Sequence, residues 1–87
     1  MFYVYILKSL KDSKLYIGFA PDLRQRIGKH SAGNVFSTKH RRPLELVYYE
    51  AYRNKGDALM RERQLKRFAK GYASLKRRIA NSLLLEG

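Results

Sequence analysis

Short runs of β-branched and aromatic residues predict three strands in this chain. Two of them, FYVYIL (2–7) and KLYIGF (14–19), flank a polar segment, a pattern typical of an antiparallel hairpin. The third, LELVYYEAY (44–52), lies further along the chain. Because side chains alternate between the two faces of a strand, the hairpin should have one hydrocarbon face and one phenol-rich face. The hydrocarbon face holds Phe2, Val4, Ile6, Leu15, Ile17 and Phe19, and the phenol-rich face holds Tyr3, Tyr5, Tyr16 and Gly18.

Two further segments have the apolar periodicity and the end signals of amphipathic helices. The first begins near Pro21, a residue that suits the first helical turn, and should end near Ser31. The second is predicted over residues 54–70, with Asn54 as its N-cap and Gly71 as the residue that ends it.

A last, shorter helix is predicted over residues 72–85. The order strand, strand, helix, strand, helix, helix predicts an α+β fold in which a three-stranded antiparallel sheet is flanked by helices. No linker or internal repeat divides the chain, so we expect a single domain over residues 1–87 whose motif-bearing core is 2–70.

Two polar residues interrupt the apolar stripe of the first predicted helix. At about 100° per residue, one face of this helix holds Leu23, Arg26, Ile27 and His30. A cation near a core must meet an anion or extend its charged end into water. Arg26 could therefore reach solvent beside a hydrogen-bonded His30, or both residues could face a ligand next to the phenol-rich face of the hairpin.

The second predicted helix carries a carboxylate on its apolar stripe. Glu62 lies on the stripe that contains Ala58, Leu65 and Ala69. A buried carboxylate is costly unless it is paired, protonated or bound to a cation. Three interpretations are open: an ion pair between Glu62 and Arg26, an aliphatic stem that lies along the edge of the core, or coordination of a divalent cation such as Mg²⁺, which takes oxygen ligands.

Charge distinguishes this chain from most small domains. Nineteen Lys and Arg residues stand against seven Asp and Glu residues, giving a formal net charge of +12 on 87 residues. Such an excess favours a polyanionic partner, nucleic acid first, with ribosome association or an anionic membrane surface as alternatives. The chain has no cysteine for a disulfide or a thiolate metal site, which fits a cytoplasmic location. No apolar run approaches the roughly 20 residues needed to span a bilayer.

Taken in order, these residues resemble the GIY-YIG nuclease superfamily, in particular its small stand-alone bacterial members. YVY (3–5) stands in the place of the first motif, and an intact YIG follows at 16–18. Arg26 and His30, one helical turn apart, match the basic positions of the next helix. Glu62 matches the glutamate of the following long helix.

The resemblance implies hydrolysis of DNA phosphodiester bonds with one divalent metal ion, Mg²⁺ or Mn²⁺. Glu62 would hold the metal, and Arg26 would neutralise charge that builds on the scissile phosphate. Tyr5 and Tyr16 would align or deprotonate the attacking water with help from His30, and which tyrosine is the base stays open. Analogy with excision-repair relatives of the fold implies a role in DNA repair or recombination.

Contacts to nucleic acid are expected beside these catalytic candidates. A basic segment supplies Lys39, His40, Arg41 and Arg42. Gly18 would either relieve crowding or leave room for a substrate. An alternative function is a basic DNA- or RNA-binding module that keeps the nuclease fold without turnover. A third is a subunit that cleaves only with a partner protein that supplies substrate recognition.

Overall fold

Three antiparallel strands form the centre of the fold in the computed structural model, which describes residues 1–84. β1 spans Phe2–Ser9, β2 spans Leu15–Ala20 and β3 spans Leu44–Tyr52. β1 lies in the middle of the sheet, so the order is β2–β1–β3 and both outer strands are edges. The strands lie where the β-branched and aromatic runs predicted them, and the predicted α+β fold with a three-stranded antiparallel sheet is confirmed.

The register of the hairpin separates its two faces as predicted. Tyr5 is opposite Gly18, and Leu7 is opposite Tyr16. One face of the sheet carries the cluster around Tyr5, Leu7 and Ala20, to which Tyr16 adds its half-buried ring. The other face carries the main hydrocarbon core, whose sheet residues include Val4, Ile6 and Ile17.

The first helix, α1 (Leu23–Ser31), covers the phenol-rich face, where Ile27 packs against the sheet. It begins later than the predicted start near Pro21, because Asp22 has an extended backbone and acts as the N-cap. The Oδ1 atom of Asp22 accepts a hydrogen bond from the backbone N–H of Gln25 at 3.0 Å.

The second helix, α2 (Lys55–Arg67), covers the opposite, hydrocarbon face of the sheet. Ala58 and Leu65 are buried there among the sheet residues. The predicted N-cap is confirmed, since Asn54 Oδ1 accepts a hydrogen bond from the backbone N–H of Asp57 at 3.1 Å. α1 and α2 therefore hold the sheet between them, and any site that uses both helices draws on both faces.

The predicted end of the second helix at Gly71 is wrong. The chain leaves the helix at Phe68, whose backbone is extended at φ −109° and ψ 99°. A new helix, α3 (Ala69–Arg78), starts immediately afterwards and runs through Gly71 without interruption. Ala69 is consequently an exposed first residue of α3 and takes no part in the apolar stripe of α2.

The helix predicted over residues 72–85 is divided in the structure. α3 ends at Arg78 with Ile79 as its C-cap, and a short helix, α4 (Ala80–Leu84), completes the described chain. The predicted last residue, Leu85, lies outside the described residues. Within residues 1–84, no helix is long and apolar enough to cross a membrane.

Candidate active site

A buried chain of hydrogen bonds runs from β1 through α1 to the loop that follows it. The hydroxyl of Tyr5 lies 2.8 Å from His30 Nε2, and His30 Nδ1 lies 2.7 Å from Thr38 Oγ1. Tyr5 and His30 are 1% exposed, and Thr38 is fully buried. Both ring nitrogens of His30 are thus engaged, which fixes the orientation of the imidazole.

Burial keeps both members of the Tyr5–His30 pair uncharged. Desolvation, followed by the positive charge of Arg26, lowers the pKa of His30 below its ordinary value. Desolvation is also the main reason that the pKa of Tyr5 is strongly raised, and Tyr16 adds to this effect. At neutral pH the pair is therefore a neutral imidazole bonded to an intact phenol.

Tyr16 is the member of this aromatic cluster that solvent can reach. Its ring centroid lies 5.2 Å from that of His30 and 6.4 Å from that of Tyr5. Tyr16 is half-buried on edge strand β2, whereas the other two rings are almost completely covered. A substrate or an attacking water can therefore meet Tyr16 without displacing the core.

Gly18 has no side chain because the phenol of Tyr5 occupies the space above it. A Cβ atom on Gly18 would lie 2.3 Å from both Cζ and the hydroxyl oxygen of Tyr5. The buried Gly18 is directly opposite Tyr5 in the hairpin register. Relief of crowding accounts for this glycine, and its contact with nucleic acid stays a prediction.

Arg26 projects from α1 towards the same cluster. Its side chain is half-buried, and its positive charge lowers the pKa of both Tyr5 and His30. The first predicted helix thus presents Arg26 and His30 to the phenol-rich face, as the helical spacing predicted.

Glu62 comes from α2, on the other face of the sheet, and its charge still acts on Tyr5. The negative charge raises the pKa of Tyr5, after the larger effects of burial and Tyr16. The Glu62 side chain is 20% exposed, and its Oε2 atom pairs with Lys66 Nζ at 3.2 Å. Of the interpretations that the sequence left open, the ion pair with Arg26 is not the one observed, because Glu62 pairs with the lysine one turn along α2.

The donor set at this position suits a hard cation with a single protein ligand. Within residues 1–84, no three His, Cys, Asp or Glu side chains form a group that could hold a metal ion. Mg²⁺ commonly takes only one or two protein carboxylates and completes its shell with waters and substrate phosphate oxygens. Glu62 meets that requirement if the cation displaces the ammonium of Lys66.

Four basic residues predicted to contact nucleic acid lie together just beyond α1. They are Lys39, His40, Arg41 and Arg42, and the first three form a single 3-10 turn. Arg41 Nε pairs with Asp12 Oδ2 at 3.2 Å, and Arg42 Nε donates to the backbone carbonyl of Lys39 at 3.0 Å. The two arginines thus use part of their donor capacity within the protein, and contact with nucleic acid stays a prediction.

The sequence pattern of the GIY-YIG catalytic domain matches residues 1–73 of this chain. Among relatives, UPF0213 protein SSP2268 of Staphylococcus saprophyticus is 46% identical over 69 residues, which cover 78% of this chain and 83% of the relative. UPF0213 protein SERP0126 of Staphylococcus epidermidis is 45% identical over the same shares.

The fold is also similar to a solved structure. The solution NMR structure of the UPF0213 protein BH0048 from Bacillus halodurans has a TM-score of 0.53 and 35% sequence identity, and the match covers 87% of this chain and 86% of that chain. The match to the domain pattern extends from β1 into α3 and includes the Tyr5, Tyr16, Arg26, His30 and Glu62 positions. This chain therefore belongs to the GIY-YIG family of nuclease domains.

Proposed function

We propose that this protein is an endonuclease that hydrolyses phosphodiester bonds of DNA with the help of one divalent metal ion. The observation that carries the proposal is the cluster of Tyr16, Tyr5 and His30 with a cation, Arg26, in a domain with a net charge of +12. Tyr16 is the member of this cluster that solvent reaches. Such a domain attracts a polyanion, and the cluster offers it a guanidinium and a solvent-reachable phenol.

Tyr16 is the tyrosine that we assign to the attacking water. It is half-buried next to His30, whereas Tyr5 is enclosed and has a strongly raised pKa. The positive charge of Arg26, which acts on the adjacent Tyr5 and His30, would favour an anionic phosphate or hydroxide at the same cluster. Tyr5 and His30 would hold the ring of Tyr16 in place from behind.

Arg26 and Glu62 would act on the phosphate from two sides. The guanidinium of Arg26 can form paired hydrogen bonds to phosphate oxygens and stabilise charge that builds on them. Glu62 would hold Mg²⁺ or Mn²⁺ after exchange with Lys66. When bound, the cation supplies charge neutralisation at the scissile phosphate.

The biological process is proposed from the resemblance to excision-repair relatives of the fold. We propose DNA repair or recombination as the process and the cytoplasm as the location. The absence of cysteine from all 87 residues supports a compartment in which no disulfide is required.

The experiment that tests the proposal is cleavage of a panel of branched, single-stranded, supercoiled and RNA substrates across a titration of Mg²⁺ or Mn²⁺. Cleavage of DNA should depend on the metal, and Glu62→Ala and Arg26→Ala should each abolish it. Asp57→Ala, at an exposed acid of α2, and Arg24→Ala, at an exposed base of α1, are matched controls that should retain activity. Equal residual activity in wild type and both site variants would identify a contaminant and end the enzyme proposal.

A basic binding module without turnover is the second candidate. It is favoured by the ion pair of Glu62 with Lys66, which satisfies the carboxylate without a metal. A pure binder has no use for Glu62 near a phosphate, since a carboxylate repels that group unless a cation intervenes. Two results together would support this candidate. DNA should bind without a metal ion, and more tightly to Glu62→Ala, and no metal concentration should produce cleavage.

A subunit that needs a protein partner for substrate recognition is a third reading of the same site. Cleavage that appears only when a fractionated extract is added, and that still depends on Glu62 and Arg26, would support it.

A further inference from the structure

Phe36 stands out among residues 1–84 because its ring is 85% exposed. It lies in a turn that the backbone holds firmly: the carbonyl of Val35 accepts hydrogen bonds from Thr38 N at 3.1 Å and from Lys39 N at 3.0 Å. A single exposed apolar residue is ordinary in a protein surface, so exposure alone carries no meaning. The surroundings of this ring make the difference.

The turn connects Phe36 directly to the candidate active site. Thr38 is fully buried and bonded to His30 Nδ1 at 2.7 Å, so the turn cannot drift away from the imidazole. Two residues of extended chain span at most about 7 Å, which keeps the Cα of Phe36 close to that of Thr38. The backbone that carries the exposed ring is therefore held close to Thr38 and His30.

A cation lies over the ring of Phe36. The ammonium of Lys39 lies 5.0 Å from the centroid of Phe36, within the range of a cation–π contact. Arg42 lies nearby in the chain and covers Gly33, where a Cβ would be 2.8 Å from its Cζ. The exposed ring, with Lys39 on it and Arg42 three residues further along the chain, offers one surface for a base and cations for the phosphates that flank it.

We propose that Phe36 is a stacking platform for an unpaired base of single-stranded DNA, with Lys39 and Arg42 on the adjacent phosphates. Proteins that bind single strands combine such aromatic rings with a positively charged groove. In a duplex, both faces of each base are already stacked on neighbours, so the ring would gain nothing. An acidic peptide could satisfy the two cations but has no series of flat rings. This inference rests on the proposed function in one respect, that the phosphates beside the ring belong to DNA.

Binding in EDTA tests the proposal without any cleavage. We would measure by fluorescence anisotropy the Kd for a labelled single strand, for the same strand as a duplex, and for the same strand with abasic residues. Phe36→Ala should raise the Kd for the single strand by about 5- to 150-fold, the range that corresponds to the loss of one base stack. The Kd values for the duplex and for the abasic strand should stay unchanged.

Three variants make the result specific to stacking. Phe36→Tyr and Phe36→Trp should restore single-strand affinity, because both keep a flat ring. Phe68→Ala is the matched control, since Phe68 is also exposed, at 59%, but lies at the junction of α2 and α3. It should leave the Kd for the single strand unchanged.

Other outcomes overturn the proposal. A Phe36→Ala variant that binds all three DNA forms as wild type does, or that weakens all three equally, would exclude stacking on a base. Tighter, Phe36-dependent binding of an RNA strand would exclude DNA as the intended ligand. Because EDTA removes turnover, a protein that never cleaves DNA can still pass this test, and an active nuclease can still fail it.

Discussion

At the level of single residues, Tyr5 and Tyr16 illustrate how one side-chain type serves two purposes in one site. The hydroxyl of Tyr5 is bonded to His30 inside the protein, whereas Tyr16 lies at the edge of the sheet and is half-buried. The buried hydroxyl contributes to stability and to the orientation of the imidazole. The accessible hydroxyl is the one that can meet a substrate.

Removal of the Tyr5 hydroxyl should therefore lower stability, whereas removal of the Tyr16 hydroxyl should lower activity. Tyr5→Phe leaves a buried nitrogen of His30 without a partner, so the free energy of unfolding should fall by about 1–3 kcal/mol. Tyr16→Phe should keep stability within about 0.5 kcal/mol of wild type and lose DNA cleavage. Urea denaturation and single-turnover cleavage measure the two effects. A stable, inactive Tyr5→Phe beside an active Tyr16→Phe would reverse the assignment of the base.

The space above Gly18 gives a second prediction. Gly18→Ala places a methyl group 2.3 Å from Tyr5 Cζ, so the phenol must move, and we expect a loss of about 1–3 kcal/mol of stability together with cleavage activity. Gly28→Ala is the control, because apart from its chain neighbours and the backbone of α1 no atom lies within 4 Å of its added Cβ, and alanine favours a helix. If thermal melts show the same loss of stability for Gly18→Ala and Gly28→Ala, the contact with Tyr5 does not explain the effect.

The buried neutral state of His30 predicts a pH dependence of stability. Its folded pKa is lowered by burial and by Arg26, so the unfolded chain binds a proton more readily as the pH falls below about 6.5. The free energy of unfolding should therefore be highest above that pH and should fall as the pH decreases from there to the lower folded pKa of His30. His30→Gln should remove this decline, and His40→Gln, at the other and exposed histidine, should not. The measurement is the free energy of unfolding from urea denaturation between pH 5 and 7.5. If it changes equally with pH in wild type and in His30→Gln, His30 is not the source of the pH dependence.

At the level of elements, a polar clamp joins α2 to β3. Glu50 accepts hydrogen bonds from Arg61 Nε at 2.9 Å and Nη2 at 3.0 Å, from the hydroxyl of Tyr48 at 2.5 Å, and from that of Tyr52. Arg61 immediately precedes Glu62, so this clamp limits the rotation of α2 on the sheet and with it the direction of Glu62. The hydrocarbon contacts of α2 alone would permit some sliding.

The clamp should contribute stability only while Glu50 is ionised. Burial alone would raise the pKa of Glu50, but the hydrogen bonds from Arg61 and the two tyrosines outweigh it and the pKa is lowered. Its contribution is therefore present above the unfolded value of about 4.3 and is lost as the pH falls through the lower folded pKa. Glu50→Gln should be less stable than wild type at pH 7 and should converge with it at strongly acidic pH. Guanidinium melts at pH 7 and below pH 4 test this, and a constant difference would exclude an ionic clamp.

The strands and the faces on which the aromatic and basic residues lie could be predicted because each depends on local periodicity. Alternation in the hairpin placed Tyr5 and Tyr16 on one face, and helical spacing placed Arg26 beside His30. The end of α2 could not be predicted, because Gly71 is the stronger helix-breaking residue by propensity and yet Phe68 adopts the extended backbone.

Long-range partners were beyond the reach of the sequence. Thr38 is one polar residue in a polar loop, and only the folded chain shows that its hydroxyl meets His30. The ion pair of Glu62 is local instead, because Lys66 lies one turn further along the same helix. The i,i+4 spacing of Glu62 and Lys66 was the available signal.

At the level of the whole molecule, the net charge of +12 dominates the interaction with DNA. A protein that neutralises phosphates releases counterions, so the affinity for DNA should fall steeply as salt rises. Lys39→Ala should reduce the slope of log K against log salt for a single strand by about 0.7, the value for one lost phosphate contact. Phe36→Ala should leave that slope unchanged, because it removes no charge. Binding that is insensitive to salt would contradict a phosphate-contacting surface.

We propose that Tyr16 on β2 and Glu62 on α2, held on different layers of the fold, serve the same catalytic site. Single-turnover cleavage of DNA at saturating Mn²⁺ by Tyr16→Phe, Glu62→Gln and the double variant tests it directly. Residues that act as one unit are strongly non-additive, so the double variant should be no slower than the slower single variant. A Glu62→Gln variant that cleaves at the wild-type rate, or a double variant whose loss equals the product of the two single losses, would contradict a shared site.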